Sequence, residues 1–266
     1  MKWILPLVGL CVFAGCQKNE PLDFNHLPHS YVTNHLGETA KVPVETEGDL
    51  AIFQGDIILG STQDIARQNQ LIESNSKSAV AIRFWGFWHN GVVPYVIDAN
   101  CPSTKNIKAA IAQYHKHTNI RFVPRKRERS YVRFILDEKR NMSHIGKAGG
   151  EQKIHLTSYA SVSTVVHEMG HAVGLHHEQT RWDRDKHIDI HWDNIEDEAK
   201  HNFKRTFLLS KDIGVYNFNS VMHYSAYAFS KNGKPTITRK NGSKLLGSRS
   251  AGLSYLDIRA LKQLYK

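Results

Sequence analysis

Eleven consecutive residues hold the densest chemistry of this chain: His167-Glu168-Met169-Gly170-His171-Ala172-Val173-Gly174-Leu175-His176-His177. On a helix, His167 and His171 are four residues apart and project from one face a turn apart, so two imidazoles reach one ion. Zinc in a catalytic site takes three protein ligands and keeps one position for water, and the helix axis cannot supply the third. Gly174 resolves this. Without a Cβ it adopts a left-handed conformation that stops the helix and turns the chain back, bringing His177 to the same metal. Glu168 stands beside the first ligand. Bound zinc lowers the pKa of water toward ~7, and a carboxylate so placed takes the proton as the water attacks a carbonyl and returns it to the leaving amine. The pattern predicts one Zn2+ per chain on His167, His171 and His177, and amide hydrolysis with Glu168 as the base.

The elements that must position these residues are legible on both sides. Ser163 to Val173 reads as the helix that carries the first two histidines. Upstream, Val92 to Ile97 reads as a strand, and Ser103 as the cap of a helix whose Ile107, Ala110, Ile111 and Tyr114 recur at helical spacing. Strands are predicted over Ile120–Val123, Tyr131–Leu136 and, after Gly149-Gly150, Gln152–Leu156. Ser254 with Asp257 three residues on predicts a capping box for a last helix with Ile258, Leu261 and Tyr265 on one face. The order implies a mixed α+β fold.

The 266 residues are 41% hydrophobic and 23% charged, a globular composition rather than a disordered or multispan one. The charge is divided: residues 1–78 hold 5 Lys and Arg against 9 Asp and Glu, net −4, and residues 79–266 hold 30 against 16, net +14. Lys2 followed by the apolar run Trp3 to Gly15 has the order of a secretory signal and is too short to span a membrane. The run ends Phe13-Ala14-Gly15-Cys16, similar to a bacterial lipobox, with Phe13 in place of the usual Leu. A signal over residues 1–16 is expected, with export and a lipid anchor on Cys16; a plain cleaved signal and secretion is the other outcome. Cys11 lies in that run, so Cys101 is left as the one ordinary thiol of an exported chain, unbridged and expected to pack as a small apolar residue. Residues 17–78 form an acidic segment with one apolar island, Leu50 to Leu59; its flank, Gln68 to Lys77, is polar and reads as a linker, with a boundary near 74–80.

The long histidine motif with its glycine resembles that of the metzincin metalloproteases, and the continuation Glu178-Gln179-Thr180-Arg181-Trp182-Asp183-Arg184-Asp185 is similar to the astacin family in particular. Ser220-Val221-Met222-His223-Tyr224 resembles that family's Met-turn. The resemblance implies that Met222 underlies the metal, and that Tyr224 is a further zinc ligand that swings off to stabilise the oxyanion. It covers nearly all of residues 79–266, the catalytic domain, through Gly91–Ile97, Ile120–Arg125, Leu253–Ile258 and Gly150–Leu156, the last resembling the edge strand that borders the cleft and takes a peptide as an added strand. The implied architecture is a twisted mixed sheet with helices, a zinc cleft and a less regular C-terminal subdomain. Phe53-Gln54-Gly55-Asp56 matches the short motif by which astacin propeptides place an aspartate on the zinc, so residues 17–78 are read as a propeptide, an inhibitor in its own chain, with Asp56 as latency switch. After cleavage near 74–80, the family's freed N-terminus is buried near the glutamate that follows the third histidine, here Glu178. The chain departs from the family in lacking its two disulfides: Asn119 stands at one expected cysteine, and the sequence ends at Lys266 without another.

The implied activity is that of a monomeric zinc endopeptidase made as a zymogen, acting on extended polypeptides, with an acidic residue after the scissile bond as in many family members. A catalytically silent binding protein on the same scaffold conflicts with the intact His167, Glu168, His171, His177 and Tyr224. Hydrolysis of a non-peptide amide is disfavoured by the substrate-side edge strand. The basic run Arg125 to Arg129 reads as a solvated loop, and no motif supports nucleic-acid binding.

Overall fold

The computed structural model describes residues 28–33, 39–74, 86–205, 211–243, 245 and 252–266. The signal, Cys16 and most of the 74–80 boundary lie outside them.

The catalytic half is organised by five strands: β6 (Val92–Ile97), β7 (Arg121–Pro124), β8 (Tyr131–Leu136), β9 (Met142–His144) and β10 (Glu151–Leu156). They lie in the order β9-β10-β8-β6-β7; β10, β8, β6 and β7 run parallel, and β9 is antiparallel to β10. The crossover helix α2 (Thr104–His117) buries Ile107, Ala110, Ile111 and Tyr114, the four residues its spacing singled out. These join Val93, Phe122, Phe134, Ile154 and Leu156 in one core that also takes Val165, Val166 and Met169 from α3 (Val162–Ala172) and Leu261 and Tyr265 from the region of α4 (Tyr255–Leu264). The capping box at Ser254 and Asp257 is formed in both directions. Ser103 sits at the start of α2, but its hydroxyl does not cap; it donates to the Thr157 carbonyl, because the buried loop there offers it a tertiary acceptor.

The described residues of the N-terminal segment, 28–33 and 39–74, are folded. Strands β1 (His29–Thr33) and β2 (Thr39–Pro43) pair as a ribbon, and β3 (Glu45–Glu47), β4 (Leu50–Phe53) and β5 (Ile57–Ser61) form an antiparallel run that joins the main sheet. The joint is parallel, with Ile57 opposite Ser143 and Ile58 opposite His144. Val32, Val44, Ala51, Phe53, Ile57 and Ile65 bury one another against Ile145, so the segment has an apolar core of its own.

Two expectations are corrected here. Gln68 to Lys77 is not wholly a linker, since helix α1 (Thr62–Ser74) runs through its first seven residues. The Ser61 hydroxyl accepts from the Asp64 N–H at its start, and buried Ile65 and Gln68 fix its inner face, Gln68 donating to the Tyr31 carbonyl. Nor is Gly150–Leu156 an edge. β10 lies between β8 and β9, and the flank of the catalytic half is β9, a three-residue strand too short to announce itself by alternation, with β5 paired to it.

Among its described residues, the less regular C-terminal subdomain has one two-stranded ribbon, β11 (Ile188–Ile190) with β12 (Ile237–Arg239), and a core that includes Ile188, Ile195, Phe203, Tyr216, Tyr224 and Ile237. The sulfur of Cys101 is a buried free thiol. Asn119, where the resemblance placed a bridge, donates instead through its amide to the carbonyl of Tyr265, tying the last helix to the end of α2 at 2.9 Å. No helix among the described residues is long and apolar enough to cross a membrane.

Candidate metal centre

Helix α3 is buried nearly all round, which leaves its last carbonyls in need of partners. They have them. Trp88 donates to Ala172 O, the Tyr265 hydroxyl to Val173 O and the Gly146 N–H to His171 O. Ser161 caps the other end by accepting from the Thr164 N–H. Gly174 takes φ +98°, its N–H bonds the His171 carbonyl, and the Leu175 N–H bonds that of Gly170. This is a Schellman closure, the left-handed stop that the glycine predicted. The chain returns under the helix and delivers His177.

His167, His171 and His177 converge with Asp56, their ligand atoms all within 4.8 Å of one another. Each Nδ1 donates to an oxygen: His167 to Val221 O at 2.7 Å, His171 to Leu175 O at 2.8 Å and His177 to Gln54 Oε1 at 3.2 Å. Burial pushes the His177 imidazole down to about 4, so it is neutral at pH 7. A neutral imidazole that donates through Nδ1 has a bare lone pair on Nε2. The Nε2 atoms of all three rings face the Asp56 carboxylate at 3.2 to 3.4 Å. Four atoms able to ligate a cation converge on one point, and outer oxygen partners on each Nδ1 are what metal-ligating histidines have. The residues therefore fit a zinc ion.

Met222 lies beneath. A Cβ placed on Gly170 would come within 2.6 Å of its sulfur, and its carbonyl accepts from the Glu178 N–H at 3.1 Å. Glu168 is 2% exposed, next to His167 on α3, and outside the converging group. The Tyr224 ring lies 4.7 Å from that of His177, but its hydroxyl is turned to the Gln54 carbonyl, at 2.6 Å. Gln54 and Gly55 make a tight left-handed turn, φ +52° and +78°, which aims Asp56 at the histidines.

Sequence reasoning found His167, His171, His177 and Asp56 as a set, and the structure brings them together. It missed Gln54, which holds His177 with its side chain and Tyr224 with its backbone; the signal was its place inside the Phe53–Asp56 motif. It also missed the outer clamp, where Glu45 and Glu47 of β3 meet Arg140 at 3.5 and 2.6 Å, and Glu45 accepts from Asn202 at 2.9 Å. Glu178, part-buried beside Arg181, accepts from the Asn217 N–H, yet desolvation dominates and pushes its carboxyl up to about 8. It borders a cavity of about 340 Å3 lined by Phe87, Leu175, Val215, Leu256 and Leu264.

A helix bearing two histidines, a glycine-terminated return to a third, and a methionine turn beneath define the metzincin class of metalloprotease. Residues 81–266 match the model of the astacin peptidase family, and the chain belongs to that family, whose members are zinc metalloendopeptidases that bind one zinc. It is 35% identical over 220 residues to zinc metalloproteinase nas-4 of Caenorhabditis elegans, covering 80% of this chain and 68% of the relative. It is 32% identical over 295 residues to Protein SpAN of Strongylocentrotus purpuratus, covering the whole chain but only 47% of that protein. Among solved structures, high choriolytic enzyme 1, a hatching-enzyme zinc protease from medaka, Oryzias latipes, superposes with a TM-score of 0.61 at 31% identity over 68% of this chain and 94% of its own. The chain spans about half the length of SpAN and of zinc metalloproteinase nas-8 of Steinernema carpocapsae.

Proposed function

We propose that this chain is an exported zinc endopeptidase kept latent by its own N-terminal segment. The observation that carries the reading is the convergence of three histidine Nε2 atoms and one carboxylate from the N-terminal segment on a single point. His167, His171 and His177 would hold the metal, and Asp56, facing all three, would compete with water for it. Zinc bound there supplies a Lewis acid that acidifies water and polarises the scissile carbonyl. Glu168 accepts the proton of the attacking water on its carboxylate and passes it to the leaving nitrogen. Tyr224, once released from the Gln54 carbonyl, turns its hydroxyl to the developing oxyanion.

In this reading residues 1–16 are the signal, 17–78 the propeptide and 79–266 the catalytic domain. The propeptide holds by three devices: Asp56 on the histidines, β5 on β9, and the Glu45–Glu47 clamp on Arg140, Lys139 and Asn202. Opposite charge on the two halves adds to their association. Removing it frees the flank of β9 for a substrate strand, and the cavity beside Glu178 receives the new N-terminus, whose ammonium would pair with that carboxylate. The enzyme acts as a monomer on polypeptides with an acidic residue after the scissile bond, and is exported to the cell envelope on a lipid at Cys16.

The test uses a peptide library and the processed chain. Wild type with zinc cleaves, Glu168→Ala does not, and unprocessed Asp56→Ala cleaves before processing. Equal cleavage by wild type and Glu168→Ala refutes the assignment of the base, and full latency of Asp56→Ala refutes the switch.

A further inference from the structure

Tyr224 must move its hydroxyl without losing its place, and the structure shows what holds that place. Its N–H donates to Gln179 Oε1 at 3.1 Å. Its carbonyl accepts from His223 Nδ1 at 2.7 Å. Because a carbonyl cannot donate, Nδ1 of His223 carries the proton, and Nε2 of the neutral ring accepts from the Tyr216 hydroxyl at 2.7 Å. The same logic orients Gln179, since a backbone N–H needs its oxygen and not its nitrogen. Gln179 and His223 are fully buried. Both are themselves fixed: Arg184 donates to the Gln179 carbonyl, and the Tyr216 ring stacks on His187 at 4.8 Å and 15°. The Tyr224 ring, in contrast, meets Phe203, Phe229 and His177 edgewise or tilted, and its hydroxyl donates to the Gln54 carbonyl of the N-terminal segment.

We propose that Gln179 and the Tyr216–His223 pair are positioning residues that fix the main chain of Tyr224 as a rigid pivot, so that release of the propeptide converts into rotation of the phenol alone. The inference rests on the catalytic reading of Tyr224. A pivot of this kind matters because a displacement of about 1 Å at a reacting group costs up to roughly a hundredfold in rate. None of the three belongs to the group that converges on the metal point, and all three act through Tyr224.

The test compares Gln179→Met, which keeps length but removes the acceptor, with Gln179→Glu, which keeps it, and with Tyr216→Phe, which deletes one oxygen. All are made in the full chain, processed, loaded with zinc, and also combined with Tyr224→Phe. Gln179→Met is expected to lose roughly ten- to a hundredfold in kcat with KM within about twofold. Gln179→Glu restores most of it, and Tyr216→Phe loses a smaller factor. In the Tyr224→Phe background Gln179→Met adds no further loss, because the group it positions is gone. Independently of activity, ring-13C tyrosine NMR of the processed chain shows the Tyr224 signal, assigned by its disappearance in Tyr224→Phe, broadened or split in Gln179→Met and single in wild type. An equal kcat loss in both backgrounds, or an unchanged Tyr224 signal, overturns the pivot. Should Gln179→Met fail to fold, Tyr216→Phe carries the same comparison. A Tyr224→Phe chain with wild-type kcat refutes the role of Tyr224 itself; a loss there without one in Gln179→Met or Tyr216→Phe refutes the positioning alone.

Discussion

Replacing Glu178 by Gln should change how the stability of the unprocessed chain depends on pH, and the size follows from burial. The carboxyl of Glu178 lies at about 8 in the fold against an ordinary value of 4.5, because burial outweighs the nearby Arg181 charge and the Asn217 N–H. Between those values the folded state holds a proton that the unfolded chain has released. Stability therefore falls as pH rises through this window, and below 4.5 the group contributes no difference. At about 1.4 kcal/mol per unit, the cost approaches 5 kcal/mol above pH 8 and is about 3 kcal/mol at pH 7. Gln keeps an acceptor for the Asn217 N–H and cannot ionise, so the variant escapes this cost. The measurement is urea unfolding of unprocessed wild type and Glu178→Gln at pH 5 and pH 8. Other groups titrate in the same range, His223 among them, pushed down to about 4 by burial, but they cancel in the difference between the two proteins. That difference should grow in favour of the variant by about 3 to 4 kcal/mol from the lower pH to the higher. A difference constant to within about 0.5 kcal/mol would show that Glu178 is not protonated in the fold, and would refute the reasoning.

Gly170→Ala places a methyl 2.6 Å from the Met222 sulfur; overpacking of about 1–3 kcal/mol and a melting temperature lower by several degrees should appear in a thermal scan. Gly55→Ala meets a φ of +78° and Phe229 at 3.0 Å, so the turn that aims Asp56 is expected to loosen, visible as peptide cleavage by the unprocessed chain, with retained latency counting against the turn's role. Ser254→Ala removes the acceptor for the Asp257 N–H and the hydroxyl that Asn217 donates to, and should lower unfolding free energy by about 1 kcal/mol in denaturant titration.

Local rules were enough wherever neighbours in sequence decide the outcome. The four-residue spacing of His167 and His171, the left-handed stop at Gly174, the spacing in α2 and the capping box at Ser254 depend on contacts within a turn or two, so they could be read directly. Even Asp56 was named from a four-residue motif, although the metal point it faces is built 111 residues away.

What the tertiary structure alone decided are relations across the chain. β10 is interior because β9 pairs with it, and β5 then pairs with β9; no periodicity within Gly150 to Leu156 records which strand lies beside it. The helix in Gln68 to Ser74 is hard to read because five of these seven residues are polar, and what steadies it is a core assembled from Val32, Ile57 and Ile145. Asn119 is bonded where a disulfide was expected only because the last helix brings Tyr265 to it, 146 residues on. The double grip of Gln54 and the buried pivot of Gln179 and His223 are of the same kind. The metal ligands could be inferred from sequence because their chemistry needs certain residue types at certain spacings. Their supports could not, because a glutamine at the required distance in space leaves no mark on the residues beside it in sequence.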